Sequence, residues 1–122
     1  MDHKKFSFSD RIKSFGYAFN GLYLFFTTEH NGRIHVVAAL IAIGTSFLLR
    51  ISAMEWVAIL SVICAVFVAE IFNTALEKLA DVVSPDIHPQ IKRVKDLAAG
   101  AVLLVAILAV AIALIIFLPK LF

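Results

Sequence analysis

From Leu97 to Leu118 the chain runs for 22 residues without a charged side chain. At about 1.5 Å per residue, a helix of that length crosses a hydrocarbon core about 30 Å thick. Lipid offers no hydrogen bonds to a free backbone, so an apolar run this long has to be helical. The expectation is an all-α membrane protein. Composition agrees, with 61% hydrophobic and 16% charged residues, where soluble domains carry about a quarter charged. At 122 residues the chain reads as one integral-membrane unit over 1–122. Lys4 and Lys5 start a basic stretch, but Arg11, Lys13, Asn20 and Glu29 break up the apolar run a signal peptide would need, so no cleavable leader is expected. Cys64 has no second cysteine to pair with. It is expected to be a buried small hydrophobe rather than part of a disulfide framework.

Two further spans emerge from the charge pattern. Ile34 to Leu49 supplies 16 residues free of Asp, Glu, Lys and Arg, and the span extends over 33–51 if Arg50 snorkels to the interface. Trp56 to Ala69 supplies only 14 such residues, about 21 Å, which cannot cross. Continuing that helix through Glu70 and Asn73 gives a span over 55–80, with polar residues in the membrane or at its edge. The third span covers 96–118, closed by Pro119 and Lys120. Before the first span, Phe8, Ile12, Phe15, Phe19, Leu22 and Phe26 recur at intervals of four and three. That spacing predicts an amphipathic helix over 9–29, capped by Ser9 or Asp10. A basic, Phe-rich helix next to a span is expected in the cytoplasmic interface, a plain anchor being its simplest role. Of the eleven basic residues, Lys4, Lys5, Arg11, Lys13, Arg33, Lys78, Lys92, Arg93 and Lys95 fall on one side, and only Arg50 and Lys120 on the other. The bias places the N-terminus and the 78–96 loop in the cytoplasm and the C-terminus outside.

The second span carries the chemistry. Seen down a helix, Glu70, Glu77 and Asp81 fall within about 40° of one another, with Asn73 about 60° to one side. A charge at the centre of a membrane helix costs about 2.5–3.5 kcal/mol on insertion scales, so such a stripe points to a site. The competing reading is an interhelical hydrogen-bond cluster, with Glu77 in the headgroup zone beside Lys78 or Lys95. A packing cluster, however, needs only Ser, Thr or Asn. Glu29, Asn31, Arg33 and His35 form a second cluster, which suits either a metal and phosphate oxygens or simple interfacial solvation. His35 taken alone reads as a hydrogen-bonded span residue. Lys95 and Asp96, placed before the third span, suit a phosphate at a helix N-terminus or ordinary flanking charge. His88 lies in a loop between Pro85 and Pro89. The five glycines (16, 21, 32, 44 and 100) form no phosphate loop.

With these residues assembled, the chain resembles the diacylglycerol kinase family of small bacterial membrane lipid kinases, including its undecaprenol kinase branch. The matching segments are Ser14-Phe15-x-x-Ala18-x-x-Gly21, Glu29-x-Asn31-x-Arg33-Ile34-His35, Glu70-Ile71-Phe72-Asn73-Thr74-Ala75-Leu76-Glu77, Asp81, and Lys95-Asp96-x-x-Ala99-Gly100-Ala101-Val102. The resemblance implies a homotrimer of three-span subunits in the bacterial cytoplasmic (inner) membrane, with sites shared between neighbours. It implies ATP- and Mg²⁺-dependent phosphorylation of a lipid hydroxyl, diacylglycerol or undecaprenol, by direct in-line transfer. In that scheme Glu70 is the general base and Asn73 stands beside it. Glu29 and Glu77 hold Mg²⁺ and, with Asp81, His88, Lys95 and Asp96, the nucleotide. Asn31, Arg33 and Arg11 join Glu70 on the lipid substrate, and no nucleic acid partner is expected. The alternative is a small proton or cation transporter or channel subunit using the Glu70/Glu77 stripe. Its weakness is the outer half of the second span, Trp56 to Ala69, where only Ser61 and Cys64 are polar.

Overall fold

The computed structural model describes residues 5–122; Lys4, counted among the cytoplasmic charges, lies outside them. Four helices run in order, α1 Phe8–Thr28, α2 His30–Leu48, α3 Ala53–Val83 and α4 Pro89–Leu121. The protein is all-helical, and α2, α3 and α4 are each long and apolar enough to cross a membrane. With 31 and 33 residues, α3 and α4 reach about 46 and 50 Å, well beyond a core about 30 Å thick. α2, with 19 residues, only just matches that thickness. The longer pair therefore continues past the start of α2 at one end, and Asp81 and Lys95 lie on that extension.

Local chemistry sets the helix ends. Ser7, not Ser9 or Asp10, caps α1, its Oγ accepting from the Asp10 backbone N–H at 3.4 Å. A serine immediately outside the first helical residue reaches the free N–H groups, which a residue inside the first turn cannot. Ser52 and Glu55 form a reciprocal capping box on α3, with bonds of 3.2 and 2.9 Å. Glu55 also meets Lys120 at 3.2 Å, joining the start of α3 to the end of α4. Arg50, at φ 50°, takes a left-handed conformation in the turn between α2 and α3, which is strained for a residue with a Cβ.

α1 and α2 meet at Glu29, whose extended backbone (φ −97°, ψ 124°) separates the two helices by one residue. The corner is tight enough that a Cβ on Gly32 would lie 2.6 Å from the Phe25 carbonyl oxygen. Glycine is the residue that allows this approach. Arg33 donates to the Thr27 carbonyl across the same corner, capping a free C-terminal acceptor of α1.

α3 is the central element, packing most extensively on α4 and less on α2. Ile51, Ile59 and Ile116 form the small buried core. The structure departs from three further expectations. The 78–96 stretch is mostly helix, with only 84–88 as loop, because Pro89 opens α4 in the first-turn position that a proline tolerates. Pro119 does not end α4, which continues to Leu121; near a C-terminus the ring disturbs little more than one turn. Cys64 is exposed, since it shares with Val57, Leu60 and Val68 a face of α3 that neither α2 nor α4 covers.

Candidate functional site

The buried face of α3 carries Ile59 and Val62 and then, in the same direction, Glu70 and Asn73, which are only 6% and 8% exposed. The helical repeat that builds the apolar core thus turns two polar residues inward as well. Glu70 Oε1 lies 2.9 Å from Nε2 of His35 on α2. Among the described residues, Glu70 Oε2 and Asn73 Oδ1 are buried without a hydrogen-bond partner. Such atoms are uncommon in native interiors and mark a place where another group is expected to bind. Asn73 Nδ2 donates to Glu77 Oε1 at 3.3 Å, so the stripe is internally linked. An apolar crevice opens beside His35, which lines it together with Ala38 and Ala42 of α2, Val66 and Phe67 of α3, and Ala106 of α4.

The second cluster assembles at the corner. Glu29 forms an ion pair with Lys78 at 2.9 Å. The corner is therefore level with the outer part of the stripe, one residue along α3 from Glu77. A largely apolar groove between α1 and α3, lined by Leu24, Phe25, Ile71 and Ala75, ends at this pair. Further along, Lys95 bonds to Asp81 at 2.6 Å and Lys92 to Asp96 at 2.6 Å. Lys95 and Asp96 do not precede a helix. They lie in the second turn of α4, whose start is capped by His88, with Nδ1 accepting from the Gln90 N–H at 3.1 Å. The free N–H groups of α4 thus belong to the first turn beyond His88. An open basin there gathers Asp86, His88, Ile91, Lys92 and Lys95.

The expected residues do not form a single cluster. Glu70, Asn73 and Glu77 are contiguous. Glu29 is held at their level by Lys78, and Asp81 is tied to Lys95. Asn31 and Arg33 are exposed in the first turn of α2. Arg11 is not brought to this site within one chain. Its guanidinium lies over the Phe6 ring, 5.3 Å from the centroid, and the unbroken α1 carries it about 25 Å from Thr28. Among the described residues no three His, Cys, Asp or Glu side chains gather into a metal-binding group. Glu29, half-buried and paired with Lys78, and Glu77, exposed, nonetheless offer oxygen donors alone, the donor type of Mg²⁺ held by one or two carboxylates together with phosphates and waters.

Two contacts were not expected. His35 is the partner of Glu70 and Lys78 that of Glu29. The signal for His35 was present, because it is the one titratable side chain between Ile34 and Leu49. A titratable group inside a span seeks a polar partner.

The sequence pattern of the prokaryotic diacylglycerol kinase family matches residues 16–117. An undecaprenol kinase of Bacillus subtilis is 40% identical over 110 residues, covering 90% of this chain and 89% of that protein. A diacylglycerol kinase of Synechocystis is 39% identical over 111 residues, 90% of this chain and 63% of its own length. The diacylglycerol kinase of Escherichia coli is 32% identical over 110 residues, 90% of each chain.

Proposed function

The chain belongs to the prokaryotic diacylglycerol kinase family, and from that premise we propose that it transfers the γ-phosphate of ATP to the hydroxyl of a membrane lipid. It is a multi-pass membrane enzyme of the lipid kinase class. The observation that carries the mechanism is the inward-facing carboxylate of Glu70, with one oxygen bonded and the other buried and unpaired.

In this reading the lipid chain lies in the apolar crevice and its hydroxyl reaches Glu70 Oε2, which takes the proton. Asn73, between Glu70 and Glu77 on the same face, orients the acceptor beside the phosphate. Glu29 and Glu77 hold Mg²⁺. Mg²⁺ held there would supply charge neutralisation at the phosphates, which phosphoryl transfer needs more than covalent catalysis. Lys95 and Asp81 face the nucleotide, with Asp96 one residue on, and His88 stands in the basin where its base would lie. Asn31 and Arg33 sit at the depth of a headgroup, and Arg11 meets the lipid surface along α1. Phe8, Ile12, Phe15 and Phe19 are all exposed along α1, which supports an interfacial position in the cytoplasmic leaflet. Orientation follows the basic residues, with the N-terminus and the 84–88 loop in the cytoplasm of a bacterial inner membrane and the C-terminus outside. A homotrimer completes the site, since three helices alone shield a carboxylate stripe poorly from lipid.

The acceptor is diacylglycerol or undecaprenol, and relatives of both names resemble the chain. The deciding experiment offers both lipids side by side, in detergent–lipid micelles with Mg²⁺ and ATP. Phosphate on one lipid fixes the acceptor, and none on either, from folded and oligomeric protein, removes the reading. A proton or cation conductor is not favoured. The stripe stops at Glu70, and the outer half of α3 offers only Ser61 and Cys64 to line a path.

A further inference from the structure

Only one of the two oxygens of Glu70 is accounted for among the described residues. Oε1 lies 2.9 Å from His35 Nε2, whereas Oε2 is buried and unpaired. An ionised carboxylate only accepts, so opposite it His35 must carry its hydrogen on Nε2 and donate. The ring itself is braced. It meets Phe67 edge-on, with centroids 6.3 Å apart at 74°, and Phe67 in turn packs on Phe26 of α1 at 5.5 Å. Phe67 stands three residues before Glu70, so the imidazole and the carboxylate are set by one turn of α3. A packing role alone leaves Oε2 unexplained, because a buried acceptor without a donor is destabilising.

Resting on the lipid kinase reading, we infer that His35 is a positioning residue for the transfer, its Nε2–H pinning Glu70 Oε1 so that Oε2 takes the acceptor proton. In the step, the lipid O–H bond breaks and its proton goes to Oε2. The lipid oxygen forms the new bond to the γ-phosphorus. The bond from that phosphorus to the β,γ-bridging oxygen breaks, and ADP leaves with the electron pair. His35 exchanges no proton in this step; it fixes which oxygen reacts.

The test compares wild type, E70Q, H35L, H35Q, H35N and H35L/E70Q in micelles with Mg²⁺, ATP and both lipids. Assembly size and melting temperature are recorded for each. H35L is expected to lower kcat about 100-fold, within the range that positioned general bases contribute, while leaving KM for ATP within about twofold. H35Q places an N–H donor where Nε2 stood and is expected to recover kcat to within about tenfold of wild type. If His35 acts only through Glu70, H35L/E70Q is no slower than E70Q. A kcat for H35L within about threefold of wild type, or a full additional loss in the double variant, overturns the inference. Should H35L fail to assemble, the decision passes to H35Q against H35N, which share their chemistry and differ in reach by one methylene. A faster H35Q at equal melting temperature supports the inference, and equal rates overturn it. A wild type inactive on both lipids overturns the lipid kinase reading and this inference together. An active wild type with an indifferent His35 overturns this inference alone.

Discussion

Glu70 stands about 10 Å along α3 from Glu77, and the two carboxylates have different surroundings. Glu70 is buried against His35, while Glu77 is exposed and, among the described residues, takes a bond from Asn73 alone. Glu70→Gln keeps the shape and removes the proposed base. Turnover is expected to fall about 10²–10⁴-fold, while ATP binding by calorimetry and assembly size in detergent stay as in wild type. Unchanged lipid phosphorylation in that variant would remove the assignment of the base. Glu77→Gln is expected to move the Mg²⁺ dependence of ATP binding to higher concentration, and an unshifted titration would place the ion elsewhere. At this scale the polar stripe of the candidate site was largely legible, because polar side chains in an apolar run are conspicuous and their angles follow from helix geometry. Their partners were not. The separation of 35 positions between His35 and Glu70 carries no periodic relation that a linear pattern could expose.

At the scale of elements, the corner at Glu29 sets the level of α1 against α3. It depends on Gly32, where a Cβ would come within 2.6 Å of a backbone oxygen. Gly32→Ala is expected to cost about 1–3 kcal/mol, the range for overpacking, read as a lower midpoint of thermal unfolding in detergent. Wild-type stability would mean that the corner opens freely. The α3 capping box makes a cleaner comparison, since Ser52 lies at the opposite end from the carboxylates. Ser52→Ala is expected to lose about 1 kcal/mol of stability with kcat unaffected. A drop in kcat there would show that the site responds to the far end of the helix. Span positions were readable from the charges, but helix ends were not. Polar turns of α3 and α4 beyond the apolar window look like loop in a hydropathy reading, and the structure keeps them helical to Val83 and from Pro89.

For the whole molecule, the single chain leaves much apolar surface uncovered. Leu40, Ile41 and Phe47 of α2 and Leu103, Leu104 and Ile115 of α4 are all mainly exposed, as suits a surface facing lipid. α3 also has an uncovered face, with Cys64 between Leu60 and Val68. In the proposed homotrimer this central helix meets its neighbours. Mass measurement in detergent is expected to find three 13.4 kDa chains. Maleimide labelling of Cys64 is expected to be slower in the assembly than after dissociation, and equal rates would put the neighbours on another face. The charge pattern alone determined the number and order of spans and the presence of a carboxylate stripe, because transfer into lipid is a local property that adds along the chain. Which group each charge meets was decided by the tertiary structure: Glu70 with His35, Glu29 with Lys78, Asp81 with Lys95. Those pairings depend on the rotation and relative level of whole helices. The one-residue corner at Glu29, the missing Cβ of Gly32, the short turn through Arg50 and the 84–88 loop between α3 and α4 set both, and their effect exists only once the helices pack.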